Sequence, residues 1–187
     1  RVLPEALGGY TVGVLVQSNL LAGATLRMNG VPVGRALDHY AYKNAYAASS
    51  DNAFSKQDGS IMMVVATDAP LDTRTLARLA MRSMLGIART GSVAENGSGD
   101  YVIAFSTNAS VRRVRESKEP VLAPTLLNSS MNPLFTAVVD ATEEAVYNAL
   151  LQATTVESAR GRLSAIPVDE VIRVLREYSN VAGVQQQ

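Results

Sequence analysis

Gln57-Asp58-Gly59-Ser60-Ile61-Met62-Met63-Val64-Val65-Ala66-Thr67-Asp68 joins a polar tract to an unbroken apolar run through a single Gly-Ser step. Residues 61–66 are continuous, β-branched in part and followed by the turn-forming Asp68-Ala69-Pro70, which predicts a strand covered on both faces. Upstream, residues 45–59 shift to Ala, Ser, Asp, Asn, Lys and Gln without apolar periodicity, the composition of an exposed flexible segment. If the backbone is cut before Ser60, that residue carries a hydroxyl and a free α-amine on one carbon skeleton. It becomes a nucleophile with its own candidate base.

Working outward, residues 10–17 are rich in valine, follow the pair Gly8-Gly9 and end at the polar trio Gln17-Ser18-Asn19, which predicts a buried strand whose end presents side chains to a site. Residues 24–28 read as a second short strand, and Asn29-Gly30 is a hairpin signal leading into Val31-Pro32-Val33. On the other side of the central run, Leu76, Leu79, Ala80, Met84, Ile87 and Ala88 recur at helical spacing with arginines opposite. Asp72 or Thr73 caps this amphipathic helix, which ends near Gly91. Residues 94–99 form a polar loop, and residues 101–106 another strand.

Asn132-Pro133 supplies a cap and a first-turn proline for a long helix. Residues 154–159 read as a short turn, and residues 167–178 as a third helix with Val171, Val174, Leu175 and Tyr178 inward. Strands bracketing helices in this order predict an α/β layered domain with helices packed on a mixed sheet.

Composition removes several function classes. The chain has 187 residues, 47% of them hydrophobic, enough to bury a full core, and 17 basic residues balance 17 acidic ones. No net positive field draws it to nucleic acid or to an anionic membrane. No apolar stretch approaches the roughly 20 residues that span a bilayer, so the chain reads as a soluble protein, cytoplasmic or periplasmic. With no cysteine and the single histidine His39, the sequence offers neither thiol chemistry nor a cluster with metal-ligand spacing. The nucleophile has to be a hydroxyl or an amine, and no metal or organic cofactor is expected. The opening Arg1-Val2-Leu3-Pro4 looks like the middle of a protein, so an upstream portion is expected to have been removed or to lie outside these residues.

These constraints favour Ser60. A serine hydroxyl is a weak nucleophile until a base takes its proton. Lysine, with a pKa of about 10.4, is mostly protonated at neutral pH, whereas an α-amine at about 7.7–8.0 is partly free. Before cleavage the same hydroxyl can attack the carbonyl of Gly59, giving an ester that water hydrolyses. Glycine eases the backbone geometry that such an attack demands. Taken alone, however, a Gly-Ser dipeptide before a strand is an ordinary loop.

Four blocks in order change that balance. They are Tyr10-Thr11-Val12-Gly13-Val14-Leu15-Val16-Gln17-Ser18-Asn19; Gly30-Val31-Pro32-Val33-Gly34-Arg35; the run from Gly59 to Ala69-Pro70-Leu71; and Asn132-Pro133-Leu134-Phe135-Thr136-Ala137-Val138-Val139-Asp140-Ala141-Thr142-Glu143-Glu144-Ala145-Val146-Tyr147-Asn148-Ala149-Leu150. Together they closely resemble the DmpA-type aminopeptidases, the self-processing N-terminal serine hydrolases that include L-aminopeptidase/D-esterases and β-peptidyl aminopeptidases.

The resemblance implies a layered αββα sandwich, of which this chain covers the C-terminal part. It also implies division before Ser60: residues 1–59 would close the large subunit and residues 60–187 would form the small one, together making a single structural domain. Ser60 matches the family's nucleophile, and Gly59 and Ser60 flank the self-cleavage point. Ser98 and Asp100, within Asn96-Gly97-Ser98-Gly99-Asp100, match a serine and a carboxylate that support the nucleophile. The family pattern has glutamate where this chain has the shorter Asp100. Asn19 looks like the asparagine whose side-chain amide donates to the oxyanion.

The implied partners are a short peptide, amide or ester with a free amine, the upstream portion of the protein's own large subunit, and further copies in a homo-oligomer. Two other functions compete with hydrolysis. One is acyl transfer as in the ornithine acetyltransferases, which carry threonine at the junction; the other is an uncleaved binding or assembly role.

Overall fold

The computed structural model describes residues 1–19, 25–37, 59–94, 96–113, 115–116, 118, 124–159 and 161–184, with the backbone alone for 181–184. In chain order its elements are β1 (Val12–Ser18), α1 (Val33–Ala36), β2 (Ile61–Thr67), α2 (Thr73–Arg89), β3 (Tyr101–Ser106), α3 (Asn132–Leu151), β4 (Val156–Ser158), β5 (Gly161–Leu163) and α4 (Val168–Val184). The flexible segment expected over residues 45–59 lies outside the described residues except for Gly59, and so does His39.

The chain forms two compact units, each taking segments from both sides of the Gly59-Ser60 step. The first comprises Arg1–Gln17, Ile61–Ile87 and Asp100–Ala145, and the second Ser18–Ser60, Ala88–Gly99 and Val146–Gln187.

In the first unit the apolar run becomes β2, the middle strand of a sheet ordered β1-β2-β3. β2 and β3 are parallel, with Met62 opposite Tyr101 and Thr67 opposite Ser106. β1 runs the other way: the Thr11 N–H donates to Asp68 Oδ1 (2.7 Å) beside its first residue, and the Asn19 N–H to the Ser60 carbonyl (2.8 Å) beyond its last. The sheet is therefore mixed, as expected, and the chain has a mixed α/β architecture.

Alternation sorts β2 into two faces. Ile61, Met63 and Val65 are buried; Val65 joins Val12 in a core closed by Leu79 of α2 and by Leu134, Ala137 and Val138 of α3. Each such leucine or valine contributes about 1.5–3 kcal/mol relative to leaving it in water. The other face is open: Leu15 is 71% exposed, Met62 51%, Tyr101 65% and Ile103 61%. The strand expected to be covered on both sides is thus covered on one, because both helices of its core pack on the same face.

Helix α2 starts at Asp72, whose carboxylate accepts the Thr75 N–H (2.7 Å) and the Thr75 hydroxyl (2.6 Å). Asp72 is thus the cap that the sequence left open between two residues. These bonds, with the Arg74 charge adding to them, hold the Asp72 carboxyl below its ordinary value of 3.8. Against α3 the helix comes close at Gly86, where a Cβ would stand 2.6 Å from Thr142 Cβ and 2.7 Å from the Val139 carbonyl oxygen.

In the second unit Asn29 (φ 50°) and Gly30 (φ 78°) make the expected tight turn, closed by reciprocal bonds between Met28 and Val31 at 3.0 Å. The flanking strands do not extend. Pro32 has no N–H to continue a ladder, Arg27 donates to the Thr90 carbonyl instead, and Val33 opens α1. Leu26, Met28, Val33 and Leu37 pack with Ile166, Val171 and Val174, while Tyr178 is exposed instead of inward. The stretch read as a short turn is an antiparallel hairpin, β4-β5, with Glu157 opposite Arg162. No helix among the described residues is long and apolar enough to cross a membrane.

Candidate active site

The chemistry-bearing residues stand next to strand ends in the sequence, Asp100 in the first unit and Asn19, Ser60 and Ser98 in the second. Ser60 precedes β2, Asp100 precedes β3 and Asn19 follows β1.

Four hydrogen bonds define the local geometry. Ser98 Oγ donates to the Gly59 carbonyl oxygen at 2.7 Å. The Gly99 N–H donates to Ser60 Oγ at 3.1 Å. The Asn19 N–H donates to the Ser60 carbonyl at 2.8 Å. The Ile61 N–H donates to Asp100 Oδ1 at 3.2 Å. Gly59, Ser60, Ser98, Gly99 and Asp100 are half-buried, and Asn19 is exposed.

Each bond has a chemical consequence. A hydroxyl has one donor and two lone pairs. With one lone pair of Ser60 Oγ taken by the Gly99 amide, the oxygen keeps its own proton to give and a second lone pair with which to attack. Ser98 polarises the Gly59 carbonyl, the acceptor that such an attack requires. Asp100 fixes the first amide of β2 with a charge-assisted bond. Asn19 holds the backbone of Ser60 through its main chain, whereas the sequence assigned its side chain to the site.

The four catalytic candidates read from the sequence, with Gly59, all take part in these contacts. Sequence reasoning missed the Gly99 amide and the Ile61 amide, since every residue but proline carries an N–H. The only signal for Gly99 was its place between Ser98 and Asp100. Among the described residues no three His, Asp or Glu side chains gather as metal ligands.

The family model of peptidase family S58 matches residues 1–164, and the chain belongs to that family. It is 38% identical over 191 aligned positions to the β-peptidyl aminopeptidase BapA of Sphingosinicella microcystinivorans, covering 99% of this chain and 48% of that protein. Among solved structures it matches the PH0078 protein of Pyrococcus horikoshii OT3 with a TM-score of 0.79 and 38% identity, over 96% of this chain and 46% of the other. It also matches the L-aminopeptidase D-Ala-esterase/amidase of Ochrobactrum anthropi, a prototype for the serine aminopeptidases and a variant of the Ntn hydrolase fold. There the TM-score is 0.75 and the identity 34%, over 92% and 45% of the two chains. The chain thus spans a little under half the length of the relatives it matches.

Proposed function

We propose that this chain acts in a self-processing serine aminopeptidase, releasing N-terminal residues from short peptides, amides or esters through an acyl-enzyme at Ser60. The observation that carries this is the pair of bonds around one peptide link, Ser98 Oγ to the Gly59 carbonyl and the Gly99 N–H to Ser60 Oγ. Membership of a peptidase family supports it.

In the uncleaved chain Ser60 Oγ attacks the Gly59 carbonyl carbon, and Ser98 donates to the oxygen on which negative charge appears. The C–N bond breaks, the nitrogen leaves as the Ser60 α-amine, and an ester to Oγ remains. Water hydrolyses that ester to a Gly59 carboxylate and a free hydroxyl. Residues 1–59 and 60–187 then stay together as one folded body.

Catalysis repeats the same steps on substrate. The Ser60 hydroxyl passes its proton to the new α-amine, directly or through Ser98, and attacks the substrate carbonyl. Asp100 balances the developing ammonium, and the Asn19 side-chain amide donates to the oxyanion. The leaving amine departs protonated, and water releases the acid.

The open sheet face supports a structural partner within the same protein. Leu15, Met62, Tyr101, Ile103 and Phe105 form an exposed apolar surface larger than scattered residues would make, and the relatives are about twice as long as this chain. The upstream portion of the same protein covers this face, completes the substrate pocket and closes the layered sandwich. No observation favours acyl transfer to ornithine. Full-length protein should separate into two species meeting at Ser60 on N-terminal sequencing and should turn over an amino-acid p-nitroanilide. A single uncut species without turnover, or acetyl transfer to ornithine in place of hydrolysis, would overturn the assignment.

A further inference from the structure

Helix α2 carries a row of cations that the catalytic reading does not use. Arg74, Arg78 and Arg82 stand four residues apart on one helix face, about 6 Å per step along the axis. Like charges at this spacing disfavour a helix, so such rows normally recruit carboxylates. Here the hydrogen-bonded and stacked partners are neutral, and the carboxylate that acts on the row is Asp72, beside Arg74. Arg78 Nη1 (2.8 Å) and Arg74 Nη1 (3.3 Å) both donate to Asn128 Oδ1. The Arg82 guanidinium lies 3.9 Å from the centre of the Phe135 ring and that of Arg78 lies 5.1 Å from it, while Arg82 Nη1 donates to the Arg78 carbonyl.

A shared amide oxygen and an aromatic face orient guanidinium groups without cancelling their charge. Among the described residues none of the three arginines is in a salt bridge. The Asp72 carboxylate interacts with the Arg74 charge at the start of the row, whereas Arg78 and Arg82 are oriented by neutral groups alone among the described residues.

The adjoining helix row is apolar and exposed. Met81 (69% exposed) and Leu85 (58%) are each three residues beyond an arginine of the row, Arg78 and Arg82 respectively. Apolar side chains beside forked cations suit a protein partner better than a phosphate chain, and the chain's zero formal net charge supplies no long-range attraction to nucleic acid. We propose that this face of α2 docks an acidic amphipathic protein segment, whose carboxylates, one helical turn apart, pair with Arg74, Arg78 and Arg82 while its apolar side chains cover Met81 and Leu85. Arginine's planar fork suits carboxylate pairing in two-point geometry.

The test uses full-length protein and a fluorescently labelled helical peptide with glutamates at three positions four apart and leucines three residues after the first two. The controls are the same peptide with glutamine for glutamate, inorganic phosphate and a single-stranded DNA oligomer. The acidic peptide should bind, and should bind at least about tenfold more tightly than the glutamine peptide at low salt, with the gap narrowing as salt rises. R78Q/R82Q should remove that preference, and M81S/L85S should weaken both peptides several-fold.

Arg78 and Arg82 lean on Phe135, so the exposed Arg74→Gln provides a second variant that spares this stacking; it should lower the preference for the acidic peptide about two- to fivefold. p-Nitroanilide turnover should be unchanged in all these variants, which separates failure here from failure of the hydrolase assignment. Absence of acidic-peptide binding, equal binding of the two peptides, or tighter binding of DNA or phosphate would overturn the proposal.

Discussion

The two ends of β2 carry similar residues and use them differently. At the downstream end Thr67 is buried: its hydroxyl donates to the Thr11 carbonyl (2.7 Å) and accepts the Ala69 N–H (3.2 Å), while Asp68 Oδ1 accepts the Thr11 N–H. Every one of these bonds joins or shapes strands. At the upstream end Ser60 and Ser98 are half-buried, and their bonds converge on the two sides of a single peptide link. The same hydroxyl chemistry serves as a clasp where its bonds are closed and dry. Under the proposed function it reacts where an oxygen keeps a proton to give beside a polarised carbonyl.

The contrast can be broken by single substitutions. Ser98→Ala should act on chemistry alone, leaving unprocessed chain and lowering p-nitroanilide turnover by about 10²–10³-fold, as loss of one oxyanion donor does. Its urea midpoint should stay near that of the parent. Thr67→Val should do the reverse, costing about 1–3 kcal/mol by leaving the Thr11 carbonyl and the Ala69 amide unpaired. Processing at Ser60 should be retained, as read by mass and urea unfolding on the same sample. Equal effects of both variants on both readouts would erase the distinction between the ends.

Gly86→Ala probes the core that supports the sheet. It should cost about 1–3 kcal/mol by overpacking, because Val139 and Thr142 must move to admit the methyl group. Asp72→Ala should be smallest, at about 1 kcal/mol for a lost helix cap. Since the folded-state carboxyl lies below 3.8, Asp72 contributes stability that is fully present above its unfolded value and lost as pH falls through the lower folded one. Asp72→Asn should keep most of the cap and remove that acid dependence, so urea unfolding at pH 6 and pH 3 distinguishes the two variants.

Much of this was legible in the sequence where one physical signal sufficed. Apolar continuity located β2, helical periodicity located α2, the Asn132-Pro133 start located α3, and the Asn29-Gly30 pair located a turn that needs positive φ at both positions. The candidate site residues Ser60, Ser98, Asp100 and Asn19 were named from a resemblance carried by four blocks, and each takes part in at least one of the four hydrogen bonds around the Gly59-Ser60 step. Other features were hidden for identifiable reasons. The outer face of β2 reads as core because Met62 and Val64 are as apolar as Met63 and Val65, and burial depends on what lies opposite. The β4-β5 hairpin is three exposed residues a side, too short to alternate visibly, and only the charge pair Glu157 and Arg162 around the turn hinted at it. Tyr178 fits a helical stripe, yet it lies beyond Leu175, the last residue of α4 packed on that core among the described side chains.

The most direct test is to express full-length protein with Ser60→Ala and to read its intact mass and its p-nitroanilide turnover beside the parent. The account predicts one uncut species with turnover reduced at least about 10³-fold. Cleavage between residues 59 and 60 at the parental rate, with turnover unchanged, would contradict it.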